Sequence, residues 1–76
     1  MSWSVSKTGS KQDLRAAVEQ ANASGHMPEH HREVLLRSID SADGGDESRH
    51  SLSAYGHMDA QGAGQNITIT LSATVD

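Results

Sequence analysis

The chain changes its hydrophobic rhythm twice. Over residues 2–6 apolar and polar positions alternate, with Trp3 and Val5 on one side and Ser2, Ser4 and Ser6 on the other. Period two, closed by Thr8-Gly9, predicts a short strand with one buried face. The period then lengthens. Leu14, Ala17, Val18 and Ala21 recur every three or four residues, the stripe of an amphipathic helix. Ser10 stands three residues ahead of Asp13, the spacing at which a hydroxyl and a carboxylate cap a helix start. Asn22-Ala23-Ser24-Gly25 supplies the stop, with Gly25 placed to take left-handed backbone just past the end. The predicted helix covers residues 11–24, with Arg15 and Glu19 one turn apart on its wet side.

A second helix opens at Pro28, whose fixed φ and missing N–H suit the first helical position. His31, Val34, Leu35, Ser38, Ile39 and Ala42 make its inward stripe, and Glu33 and Arg37 form an i,i+4 pair outside. Asp43-Gly44-Gly45-Asp46-Glu47-Ser48 ends it. Beyond Ser48 the period returns to two: His50, Leu52, Ala54, Gly56 and Met58 oppose Ser51, Ser53, Tyr55 and His57. After the turn-rich residues 59–65, Ile67, Ile69, Leu71, Ala73 and Val75 oppose Asn66, Thr68, Thr70, Ser72 and Thr74. These two runs predict a β-hairpin with a long glycine-containing loop.

The order β-α-α-β-β predicts an α+β fold, a two-layer sandwich with a helical hairpin covering one face of a three-stranded sheet. The second strand runs antiparallel to the first; whether strand one pairs with strand two or strand three stays open. The expected core is Trp3, Val5, Leu14, Val18, Val34, Leu35, Ile39, Leu52, Ile67, Ile69 and Leu71.

Composition narrows the picture. The 76 residues suffice for one domain, residues 1–76, and no second. There is no cysteine, hence no disulfide framework and no thiolate site. The longest aliphatic run, Val34-Leu35-Leu36, is too short for a membrane span or a signal-peptide core. Ten acidic residues against six basic ones argue against binding nucleic acid by charge. A chain this short buries only about 60% of its unfolded surface, and without disulfide or metal the common remedy is self-association. A homo-oligomer is expected.

One predicted surface stands out. The outward side of the sheet carries Ser2, Ser4, Ser6, Ser51, Ser53, Tyr55, His57, Thr68, Thr70, Ser72 and Thr74, with no charged residue. Exposed sheet faces usually hold some long charged side chains that discourage stacking. A flat hydroxyl face is compatible with plain solvation, with docking of another sheet, or with a ligand surface rich in donors and acceptors. Tyr55, His57, Arg49, Ser53, Thr68 and Thr70 are the candidate binding residues; none is assigned a catalytic role.

Other chemistry finds less support. His26, His30 and His31 cluster around Pro28, while His50 and His57 fall on opposite strand faces, so nothing enforces the convergence that zinc needs. Surface or interface histidines are the simpler reading. The acidic run from Asp40 to Glu47 lacks the oxygen ligands a calcium loop requires, since Ala42 and Gly44 occupy ligand positions. Gly62-Ala63-Gly64 joins two strands instead of leading into a helix, which makes a flexible hairpin tip the expectation. No nucleophile motif is present and no cofactor is implied.

Met1-Ser2-Trp3-Ser4-Val5-Ser6, together with Ser53-Ala54-Tyr55-Gly56-His57 beside a Gly-rich turn and a Thr-rich strand, resembles small phage- and prophage-borne proteins. The resemblance covers the two ends of the chain. It implies a bacterial-cytoplasm or virion setting and transfers no catalytic residue. The expected function is a non-enzymatic binding module, a phage or prophage accessory protein acting through protein–protein contacts as a homo-oligomer, its partner itself or a host or phage protein. Two alternatives stand beside it: sequestration of a small anionic, nucleotide-like ligand, and a structural role in the virion.

Overall fold

The computed structural model describes residues 1–73, so the expectations for Thr74 and Val75 lie outside the described residues. Chain order is β1 (Ser2–Gly9), α1 (Lys11–Ala23), α2 (Glu29–Ser41), β2 (His50–His57) and β3 (Ile67–Ala73). The strands form one antiparallel sheet in the order β1-β2-β3, so strand one pairs with strand two and β2 is central. With both helices on one side of the sheet this is the expected α+β fold.

Local chemistry sets the helix ends. Asp13 N–H donates to Ser10 Oγ at 3.2 Å and Ser10 N–H donates to Asp13 Oδ2 at 3.1 Å, completing the capping box. At the far end Ser24 is the cap, one residue earlier than expected, and Gly25 takes φ 78°. Gly25 N–H then donates to the Asn22 carbonyl and His26 N–H to the Ala21 carbonyl, which pairs carbonyls the helix would leave orphaned. Pro28 caps α2 from extended backbone, at ψ 150°, and so lies just outside the helix instead of in its first position. Its carbonyl accepts from Arg32 N–H.

The charged side chains pair mostly between helices. Arg15 reaches Asp40 at 2.9 Å, and Arg32 contacts Glu19 on α1 as well as Glu29 on its own helix. Neither Arg15–Glu19 nor Glu33–Arg37 forms an ion pair among the described residues. Antiparallel packing brings an acid of the other helix alongside Arg15 and Arg32, a proximity that spacing along one helix does not reveal. Lys11 is buried, and its ammonium donates to the Ala42 carbonyl at 2.7 Å, closing the C-terminal end of α2.

The inner face of the sheet is built in rows: Trp3–Gly56–Ile67, Val5–Ala54–Ile69, Lys7–Leu52–Leu71 and Gly9–His50–Ala73. In two of these rows a large residue lies beside a small one, Trp3 by Gly56 and Val5 by Ala54. The buried core is Trp3, Val5, Leu14, Val18, Met27, Leu35, Ile39, Leu52 and Ala54. Met27, on the connection between the helices, and Ala54 join the expected set. Val34, expected in the core, is only half-buried, as are Ile67, Ile69 and Leu71. The reason is an offset: α1 packs chiefly on β1, leaving β3 thinly covered.

Two histidines belong to the interior, on the inward positions that periodicity gave them, so the reading of the histidines as surface or interface residues does not hold for this pair. His50 is buried, with Nδ1 3.0 Å from the Ser48 carbonyl oxygen and Nε2 2.8 Å from that of Asp43, so its ring braces the loop after α2. His31 is tied to Trp3, whose indole N–H donates to His31 Nδ1 at 3.0 Å. Because the indole only donates, Nδ1 accepts and the neutral ring carries its proton on Nε2. That Nε2 is buried without a hydrogen-bond partner among the described residues, although the Gly64 backbone lies against the ring. A Cβ at Gly64 would fall 2.4 Å from His31 Cε1, and one at Gly56 would fall 2.8 Å from the Trp3 ring. Both glycines are therefore required by close approach.

Two tests follow from this core. Burial pushes the His31 imidazole below its usual range, His30 pushes the same way, and the Gly64 backbone opposes them. With the folded value depressed, the unfolded chain takes up the proton first. The stability His31 contributes is thus present above about pH 6.5 and is lost as pH falls through 6.5 towards the folded value. Urea unfolding followed by Trp3 emission should show this loss in the native chain and less of it in His31→Gln. Gly56→Ala should destabilise by about 1–3 kcal/mol, since the indole must leave its seat, with a red shift of Trp3 emission in the folded state.

Candidate functional site

The helix-free side of the sheet is uncovered and built on strict register. Its rows are Ser4–Tyr55–Thr68, Ser6–Ser53–Thr70 and Thr8–Ser51–Ser72, with Ser2 opposite His57 at one end. All nine residues of the three complete rows carry a hydroxyl. Strand geometry spaces them about 4.8 Å across the sheet and about 6.7 Å along it. Neighbouring hydroxyls barely satisfy one another: Thr8 Oγ1 to Ser51 Oγ, at 3.4 Å, is the one such contact among the described residues. Most of the face therefore presents free donors and acceptors.

Four candidate residues come together. Ser53 is registered against Thr70 and Tyr55 against Thr68, giving a block of four exposed side chains in which Tyr55 is 60% exposed. His57 closes the same end of β2. Beside it a shallow depression of about 260 Å³ is lined by Ser2, Tyr55, His57, Asn66 and Thr68. Arg49 does not join them. It precedes β2, and eight residues of extended strand put it roughly 26 Å from His57. No single small anion spans both.

Thr8 and Asn66 complete the surface without having been singled out among its binding residues. Thr8 is the continuation of the Ser2-Ser4-Ser6 alternation, a signal the sequence carried in plain parity; β1 runs on to Gly9. Asn66 reaches the site through the loop, which has a built structure: Asp59 Oδ1 accepts from Gln61 N–H at 3.0 Å and from Ala63 N–H at 2.9 Å. This Asx-type turn, with Asp59 N–H donating to the Ala63 carbonyl at 2.8 Å, folds the expected hairpin tip back so that Gly64 packs on His31.

Chemically the face offers neutral hydrogen bonding and little else. It has no cation among its rows, no pair of carboxylates and no nucleophile–base pair. Among the described residues no three histidine or acidic side chains are grouped to hold a metal, and no helix is long and apolar enough to cross a membrane. Comparison of the chain with protein-family models, with curated proteins and with solved structures finds no match.

Because these hydroxyls contribute nothing to the core, single Ser53→Ala, Thr68→Ala and Thr70→Ala changes should each alter stability by no more than about 0.5 kcal/mol. Trp3→Ala, on the opposite face, should cost about 3–5 kcal/mol. Denaturant midpoints of the four variants make the comparison; a large loss from the open face would mean that it carries structural load.

Proposed function

We propose that this protein is a non-enzymatic binding module that works through protein–protein contacts made by the open face of its sheet, in the phage or prophage setting implied by its resemblance. The observation that supports this most is the three-by-three array of hydroxyls centred on Ser53, with Tyr55 in an end row, uncovered and without a charge. Desolvating neutral hydroxyls costs far less than desolvating charges, and each regains its hydrogen bonds from a partner's backbone or amide groups. Tyr55 supplies what such a surface otherwise lacks: a rigid aromatic body with a polar tip, the residue type enriched where interfaces concentrate their energy. The same surface serves equally as an assembly contact in a particle. Sequestration of an anionic ligand draws less support, since Arg49 lies at the far end of β2.

A photo-crosslinking side chain placed at position 55, with a control at Gln12 on the exposed side of α1, tests the reading in a phage-carrying bacterial host. A discrete adduct from position 55 is expected, absent from position 12 and lost on Ser53→Lys. The same diffuse labelling from both positions would contradict it.

A further inference from the structure

The two edges of the sheet are treated differently. On β1, Lys7 occupies an inward-facing position yet remains exposed, the device that keeps an edge strand from accepting another strand. That edge is also overhung by α1, with Ala17, Gln20 and Ala21 lining the groove beside Val5. β3 has neither protection. Residues Ile67–Ala73 contain no charge and no proline, and the strand pairs on one side only, with β2. Its inward residues Ile67, Ile69 and Leu71 are only half-buried, and the groove between α2 and this strand is lined by Ser38, Ser41, Ala42 and Asp43, the carboxylate lying at the Ala73 end.

We infer that β3 pairs with β3 of a second copy across a two-fold axis at Thr70, forming a continuous six-stranded sheet. Charge argues for this occupant. A chain of net charge −4 repels its own copies, and β3 brings two uncharged strands together, while Asp43 of each copy lies at the Ala73 end and so faces the Ile67 end of the other. Parity argues for the register. Antiparallel pairing centred on Thr70 sets Ile69 opposite Leu71 and Ile67 opposite Ala73 on the inner face, while Thr68 meets Ser72 and Thr70 meets its own copy outside. Inner positions stay inner, the requirement that fixes strand register. The free backbone groups of β3 are thereby paired, and the half-buried aliphatics become the middle of a wider sheet.

Size sets the strength. A stable interface buries about 800 Å² per partner, near a sixth of this chain's 4731 Å². β3 and the flank of α2 supply about a dozen residues, fewer than the roughly 20 of a standard interface, so the dimer is concentration-dependent. The inference extends the proposed function by joining two hydroxyl faces edge to edge, but it does not depend on a foreign partner.

Sedimentation equilibrium from about 10 µM to about 1 mM tests it on the native chain, Thr70→Lys, Thr70→Glu and an equimolar mixture of those two. Thr70 is exposed, so neither change disturbs the core. The native chain should dimerise. Each single variant should weaken dimerisation about fivefold or more by setting like charges opposite one another, and the mixture should recover it as a Lys–Glu heterodimer. Ser53→Lys, one strand in from the edge, should leave dimerisation intact even where it abolishes crosslinking, which separates failure of this inference from failure of the face reading. A native chain that stays monomeric throughout would overturn the inference, as would single variants that dimerise like the native chain or a mixture that recovers nothing.

Discussion

The indole of Trp3 is held by three constraints at once, and the rest of the structure is arranged around them. Gly56, its direct partner on β2, leaves the space in which the ring lies. The indole N–H donates to His31 Nδ1 on α2. His31 in turn is covered by the Gly64 backbone, which draws the β2–β3 loop over the helix. One hydrogen bond therefore connects β1 to α2, and the close approach of Gly64 to the His31 ring adds the hairpin loop, all elements far apart in the chain. A buried polar contact of this kind is favourable only while both groups stay paired and neutral, which is why burial and proton uptake at His31 are coupled.

The helical layer is displaced towards β1, where α1 packs chiefly. Trp3 and Val5 are sealed, while the aliphatic residues of β3 are not. The sheet has three strands, so a layer displaced to one edge leaves the other exposed. Two surfaces of the sheet are thus left uncovered, the hydroxyl face and the β3 edge. The three hydroxyl rows add nothing to the core, and neither they nor strand β3 carries a charge.

Much of the fold was legible because local signals agreed with one another. The alternation of Trp3 and Val5, the Ser10–Asp13 box and the placement of Gly25 each reflect contacts within a few residues, and each is realised. The hydroxyl face was legible for the same reason, since parity along a strand places Ser53, Tyr55, Thr68 and Thr70 on one side without knowledge of the partner strand. What could not be read depends on contacts across the fold. Gly64 looks like a turn residue until it is found against His31, Met27 looks like part of a connection, and Arg15 finds Asp40 only because two helices lie side by side. The partial exposure of Val34 and β3 belongs to the same class, because it follows from how far the helices are shifted over the sheet. Arg49 was grouped with Tyr55 and His57 by chemistry, and strand geometry separates them.

The Trp3–His31 hydrogen bond is also directly observable. In the nitrogen-15-labelled protein at neutral pH, scalar coupling across that bond between Trp3 Nε1 and His31 Nδ1 should be detectable by NMR, together with slow exchange of the indole proton. A Trp3 indole proton that exchanges freely with water and shows no coupling to His31 would contradict the arrangement that joins β1, α2 and the hairpin loop over the covered face.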